Sequence, residues 1–504
     1  MPSSTSPSSS DGDLPVDVEK RAGPIAAEHE ASHYHHPSKK DEEEHDNGGS
    51  LTDPAREEEE ELENWRIQPE PDILNTEADG VAGTVSRVLS RISTKSSWNP
   101  GPPPDGGRVA WLACLCGHFA IMNTWGFINS FGVFQSYYAT QLGRPPADIS
   151  WIGSVQVFLT FFIGTFTGRL TDAGFFRPVL ACGAAFMTLG VFCTSAATQY
   201  WQLILAQGIC MGVGSGFVFC PAISTVSTYF SKKRSLAIGI TACGSVTGGL
   251  VFPAMARQLL PTVGFGWAVR AIGFVQLATL LFAVAFMKSR LPPRRTGSLV
   301  EWAAFRELEY TFYAAGMFFN FWGVYFAFYY LSAFARAAVE PPLSYTDSLN
   351  LLLLLNGIGI LGRLLPNHLA DRVGPLNIMI PTCLVCGAAL LAWMAVRTAP
   401  QLYGWAVVYG IVAGALQSLF PAGLSSLTTD LRKQGTRMGM VFTIVSFAVL
   451  TGNPIAGAII GSMGGRYEGA QGFTGGCLLV GMGFILAARV VRMRRTGTGW
   501  RVKI

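Results

Sequence analysis

The chain has 504 residues, 49% of them hydrophobic and 14% charged, with a mean hydropathy of +0.33. An ordinary soluble domain is about a quarter charged, so a soluble globular protein is excluded for most of this length. The net charge of +4 hides two opposite parts: residues 1–107 hold 23 acids against 9 bases, and the remainder holds 10 acids against 28 bases.

Residues 1–104 begin Ser/Pro-rich, pass through Asp41–Glu44 and Glu57–Glu61, and contain too few apolar residues to form a core. They predict a disordered acidic tail. His33, His35 and His36 read as part of that solvated tail, with metal binding the alternative. Val85-Ser-Arg-Val-Leu-Ser-Arg-Ile-Ser93 reads as a basic linker beside a membrane, or as a segment lying on anionic headgroups. The tail ends at Pro104-Asp-Gly-Gly-Arg-Val-Ala-Trp111, where proline and glycines break the chain and Arg108 can snorkel to the headgroups.

Twelve apolar segments follow, each long enough to span a bilayer: 109–137, 149–168, 178–197, 201–223, 235–256, 267–288, 309–335, 347–366, 376–396, 401–424, 437–461 and 472–491. The connections are short and no segment has a polar face, so the fold class is an all-α polytopic membrane protein. Gly168-Arg-Leu-Thr-Asp172 at the end of span 2 recurs as Asn367-His-Leu-Ala-Asp371 at the end of span 8. Pro221-Ala-Ile-Ser in span 4 recurs as Pro421-Ala-Gly-Leu-Ser in span 10. The repeat predicts two six-helix halves, 105–290 and 308–492, joined by a basic loop, 291–307, and followed by a basic tail, 493–504. Two parallel repeats describe a rocking transporter with its site between the halves.

Loops after the even-numbered spans, with the C-terminal tail, carry twenty basic residues against six on the other side. The positive-inside rule then predicts both termini in the cytosol, with the plasma membrane the expected location. No signal peptide precedes the body, so the first span is expected to direct insertion. All ten cysteines fall within spans. Cys383-x-x-Cys386 reads as small core residues rather than a metal or redox pair. No Walker A motif occurs, and neither a cofactor nor a nucleic-acid partner is expected.

The Asp-Gly pattern ending spans 2 and 8, complete in Ala370-Asp-Arg-Val-Gly374, resembles the loop motif of the major facilitator superfamily. Asp105-Gly-Gly with Trp111 and the Asn123–Gln135 text is similar to its monocarboxylate-porter branch in fungal form. Tyr229-Phe-Ser-Lys-Lys-Arg-Ser-Leu-Ala-Ile-Gly239, Gly362-Arg363-Leu-Leu and Gly452-Asn-Pro-Ile-Ala-Gly457 support that branch, and the resemblance covers roughly residues 85–490. It implies a secondary active carrier of a small organic solute (organic anion, monocarboxylate or secondary metabolite), linked to protons and working by alternating access. The sequence departs from the branch where it matters for protons. Asn129 stands at the best match for a membrane lysine, Gly359 where an acid precedes the span-8 arginine by one turn, and Arg108 where an aromatic is usual.

Arg363 is the sharpest candidate for a substrate contact. A cation inside a span is costly unless paired or facing a polar cavity, and its planar fork suits a carboxylate; otherwise it snorkels and pairs with Asp371 or a carbonyl. His118 lies within span 1 and suits a proton relay or a hydrogen bond between helices. Asn123, Asn129, Asn356 and Gln417 are intramembrane amides that read a ligand or bridge helices, and Tyr325 lines a cavity or anchors an interface. Asp172, Arg177, Asp371 and Arg372 are expected to form charge pairs that gate the cytosolic side. Import of monocarboxylates or a vitamin competes with efflux of a biosynthetic-cluster metabolite, and a nutrient sensor on the same fold is the alternative of another class. No acid lies deep in a span, so an enzyme is not expected.

Overall fold

The computed structural model describes residues 101–144, 146–294 and 296–497. The acidic tail with its histidines, the stretch from Val85 to Ser93 and residues 498–504 of the basic tail lie outside the described residues. Nine helices among the described residues are long and apolar enough to cross a membrane. Two of these are merged pairs, broken at glycines in the left-handed region: Gly174 (φ 95°) and Gly264 (φ 75°). One more span, interrupted at Tyr325, completes twelve.

In chain order these are α1 (Gly107–Gln135), α2 (Pro146–Phe162 with Gly164–Leu170), α3 (Phe176–Ala196), α4 (Tyr200–Tyr229), α5 (Arg234–Ala242 with 244–263) and α6 (265–286) in the first group. The second group is α7 (Leu308–Val324 with Phe326–Ala337), α8 (Tyr345–Val373), α9 (Pro375–Ala392), α10 (Ala399–Leu427), α11 (Gln434–Ser462) and α12 (Glu468–Thr496). The linker between the groups holds one short 3-10 turn, Trp302–Arg306.

Several helices overrun their apolar windows. Span 4, expected to end near residue 223, continues to Tyr229, with the hydroxyls of Ser224, Ser227 and Thr228 satisfied on carbonyls three residues earlier at 2.7–3.1 Å. The 200-residue repeat is visible in the caps. The Gln202 side chain accepts from the N–H groups of Thr198 and Gln199 at the start of α4, and Gln401 does the same for Arg397 and Thr398 at the start of α10.

The two groups meet along two seams, α2 on α11 and α5 on α8. The first is a backbone-to-backbone crossing: a Cβ at Gly168 would fall 2.0 Å from the Gly435 carbonyl oxygen, and one at Gly439 would fall 2.0 Å from that of Gly164. Within the first group, Gly244 and Gly248 of α5 lie equally close to the carbonyls of His118 and Met122 in α1, whereas Gly461 of α11 faces open space. The largest buried apolar cluster joins Trp125, Phe161 and Phe219 of the first group to the core of the second, so the centre of the molecule lies where the groups meet.

Gly439→Leu should therefore force α2 from α11, costing about 1–3 kcal/mol as overpacking does. Thermal unfolding of the purified protein checks it: the midpoint falls for Gly439→Leu and holds for Gly461→Leu.

Candidate functional site

A small cavity lies between the two groups. Its wall is largely aromatic: Trp125 of α1, Phe161 of α2, Phe219 of α4, Phe321 and Tyr325 of α7, and Phe420 of α10. Its polar groups are few, as in most small-molecule sites: Ser245 of α5, Arg363 of α8 and Gln417 of α10. No lining residue is acidic.

Arg363 is 3% exposed. Its Nη1 donates to the Gly359 carbonyl of its own helix at 3.1 Å and its Nη2 donates to Gln417 Oε1 at 3.0 Å. Among the described residues no carboxylate lies within ion-pairing distance of this guanidinium. Gly359 makes the fold-back possible, since a Cβ there would sit 2.5 Å from Nη1. Gln417 spends its oxygen on Arg363, and its buried Nε2 has no acceptor in the protein. A cation without a counter-charge and an amide N–H₂ without an acceptor thus face one apolar cavity. Both ask for oxygen atoms, and the cation asks for negative charge.

Of the substrate contacts expected from sequence, Arg363, Tyr325 and Gln417 line this cavity. His118, Asn123, Asn129 and Asn356 are not among the lining residues. His118 bridges α1 to α5 through the Ile240 carbonyl at 2.9 Å and Thr247 Oγ1 at 3.1 Å. Asn123 donates to Phe119 O and to Thr279 Oγ1 of α6, both at 2.8 Å. Asn129 reaches the Ser245 carbonyl at 3.4 Å. Asn356 donates back to Leu352 O at 3.0 Å and leaves its buried Oδ1 without a partner. It shares the Arg363 face of α8 two turns away, about 10 Å along the axis.

The linker face of the molecule is closed by carboxylates set on helix starts, where unpaired N–H groups attract negative charge. Asp172, at the end of α2, accepts from the N–H groups of Gly435 and Thr436 at 2.9 and 2.7 Å and from the Thr436 hydroxyl at 2.6 Å, all at the start of α11. Asp371, at the end of α8, accepts from Ser235 N and Leu236 N at 2.7 and 2.9 Å at the start of α5. Each group therefore caps the fifth helix of the other. The predicted gate cations behave differently: Arg177 and Arg372 are exposed. Another cation crosses the seam instead: Arg234 of α5 reaches the Ser425 carbonyl of α10 at 3.3 Å, while Arg437 of α11 binds Glu301 of the linker and Glu307.

Two further carboxylates act within a group. Asp105, held at φ 51°, accepts from the N–H groups of Ser231 and Lys232 just before α5, and its own N–H donates to Tyr229 O at 3.2 Å. Glu307, just before α7, pairs with Arg437 near the start of α11. The linker is fastened across the closed face by Arg294 N to Asp172 O at 2.7 Å and by Lys433 Nζ to Glu301 at 2.6 Å. Burial works against the charge on Glu301, but the bonds from Lys433 and Arg437 outweigh it and hold the carboxyl below the usual carboxylate range. The signal for these residues was scarcity: only ten acids stand in residues 108–504, and Asp172, Glu301, Glu307 and Asp371 are four of them.

The Major Facilitator Superfamily pattern matches residues 113–431. The chain is similar to an MFS-type transporter of Gibberella zeae, 62% identical over 389 residues, covering 77% of this chain and 88% of that protein. It is 34% identical over 403 residues to the aspyridones efflux protein of Emericella nidulans, covering 79% and 82% of the two chains. The fold matches that of the E. coli fucose:proton symporter, with a TM-score of 0.61 at 15% identity over 76% of this chain and 99% of that one.

Cys220 lies buried beside the start of α11, its Sγ 3.9 Å from the Gly435 carbonyl oxygen. Asp172→Asn, which weakens charge-assisted bonds, should raise the rate at which a hydrophilic maleimide labels Cys220 by roughly ten-fold, in a protein whose other cysteines are replaced by alanine. The Glu301 carboxyl titrates lower in the folded chain than in the unfolded one. Its contribution is therefore complete above the unfolded value and lost as pH falls through the folded one. Loosening of the linker, read by limited proteolysis, should begin only below about pH 4.5 and lose that pH dependence in Glu301→Gln.

Proposed function

The chain belongs to the major facilitator superfamily, and from that premise we propose that it carries a small organic anion out of the cell by alternating access, as a member of the monocarboxylate-porter branch. It is an integral, multi-pass membrane transporter. The observation that supports the cargo is the Arg363–Gln417 pair: a buried cation with no counter-charge beside an amide N–H₂ with no acceptor, in a cavity without carboxylates. An anionic oxygen would neutralise the first and satisfy the second. The efflux role named for the similar Emericella nidulans protein supports the outward direction. The positive-inside count supports placing the linker face in the cytosol, where Asp172 and Asp371 close the site. In this reading the state observed is closed to the cytosol, and cargo enters once the two carboxylates release the starts of α11 and α5.

The membrane potential is sufficient to drive such export. Moving one negative charge out of a negative-inside cell gains about 2.3 kcal/mol per 100 mV. Proton linkage, which the resemblance implies, would enter through ionisation of the cargo itself, because the cavity lining holds no carboxylate to exchange the proton. His118, Asn123 and Asn129 then serve as struts that keep α1, α5 and α6 in register, and Arg363, Gln417 and Tyr325 face the cargo.

Arg363→Gln removes the charge and keeps a hydrogen-bonding side chain. It should weaken transport of organic anions by about 3 kcal/mol, roughly a hundred-fold in kcat/KM, with the protein still in the membrane. Transport of a panel of carboxylates and neutral analogues in inside-out vesicles measures this. Unchanged kinetics for the anions would remove Arg363 from the site, and accumulation only in right-side-out vesicles would reverse the direction.

A further inference from the structure

Resting on the organic-anion reading of Arg363, we propose that the cargo is a planar, conjugated acid whose ring is held between Trp125 and Tyr325. These two side chains come from the first helix of each group, α1 and α7, and both line the cavity that Arg363 and Gln417 face. Their ring planes lie within 4° of parallel with centroids 6.0 Å apart. Both rings are braced by aromatic neighbours set at steep angles. Trp125 meets Phe161 at 5.1 Å and 58°, and Phe219 at 5.6 Å and 69°. Tyr325 meets Phe321 at 5.8 Å and 64°, and Phe328 at 6.1 Å and 59°. Edge-on packing of this kind fixes the plane of each ring and leaves its face to a parallel partner.

A flat molecule inserted between two ring faces needs about 3.5 Å on each side, so about 7 Å between the planes. The pair would have to part to admit it, and Tyr325 is placed to yield: it sits at the break between Val324 and Phe326 that divides α7. The contact also runs between the two groups that rock against each other. A ring–ring contact there must break in each cycle, and a flat cargo would replace it with two ring–cargo contacts. A saturated ring of the same carbon skeleton is thicker and has no π face, so it would part the pair further and stack on neither side. The acid group of the cargo would point to the guanidinium and to the free N–H₂ of Gln417. The site would thereby read flatness with its aromatic pair and charge with Arg363.

The test uses the full-length protein in lipid nanodiscs and two probes of equal charge, 2-naphthoate and its fully saturated counterpart, decahydro-2-naphthoate. Wild type should bind the naphthoate at least ~10-fold more tightly, the gain expected of two stacked faces. That preference should fall towards unity in Trp125→Leu and survive in Trp125→Phe, whereas Arg363→Gln should weaken both acids alike. Equal binding of the two acids by wild type overturns the ring clamp and leaves the anion reading standing, a result independent of how any variant folds. A preference that survives Trp125→Leu overturns it as well. If Arg363→Gln binds both acids as wild type does, the anion reading falls and the ring preference stands or falls on its own ratio. If wild type binds neither acid, both readings fall together.

Discussion

A helix that starts at a membrane surface presents N–H groups with no partner of their own, and this protein meets that constraint with carboxylates from elsewhere in the chain. Asp172 and Asp371 each sit at the end of one helix and complete the start of another in the opposite group. The close crossing of α2 on α11 through Gly168, Gly435 and Gly439 depends on the same register, because the carboxylate and the glycines belong to one turn of contact. The same seam carries the linker, through the Arg294 N–H on the Asp172 carbonyl, and lies over the buried Cys220. Charge-assisted bonds to backbone N–H groups suit a moving seam: they are strong when formed, and both partners are well solvated when parted.

The fold was legible in the sequence because a bilayer imposes a long apolar run on each span, and because caps and charges repeat at about 200 residues. The Gln202 and Gln401 caps are a direct mark of that repeat. Helix ends were less legible. The apolar window of span 4 closes at residue 223, but the helix continues six residues further, with its Ser and Thr hydroxyls satisfied on its own carbonyls. Arg363 stood out because a cation in an apolar helix is rare. The cavity wall did not, since Trp125, Phe161 and Phe219 are aromatic residues in a chain where such residues are everywhere. Which of them share a space is decided by how α1, α2 and α4 rotate against α7 and α10, and no local pattern encodes that. Asn123 carries the same amide as Gln417 and His118 also offers polar nitrogens, yet their helix faces turn them to α6 and α5.

Gly359 connects the departure from the family pattern to the chemistry of the cavity. With no side chain there, the guanidinium of Arg363 folds back onto its own helix and keeps its charge unopposed. An acid at that position would stand against the guanidinium and supply the missing counter-charge from within the protein. Under the organic-anion proposal, this one position would separate a site that brings its own negative charge from one that takes it from the cargo.

Asp105 and Glu307 give the closed face a second property. Each stands just before the first helix of its group and holds the start of the fifth helix of the same group, through Ser231 and Lys232 in one case and Arg437 in the other. If the groups part along this seam, the bonds made by Asp172 and Asp371, which join the groups, would be lost, while these, which lie within a group, would not have to break. The freed ends of α5 and α11 are then still held by their own group, neither unwinding nor searching for register before closing again. A clasp whose two halves stay shaped while open can close as fast as the groups can swing, so the time taken by each cycle would be set by that swing and by the cargo rather than by refolding of the seam.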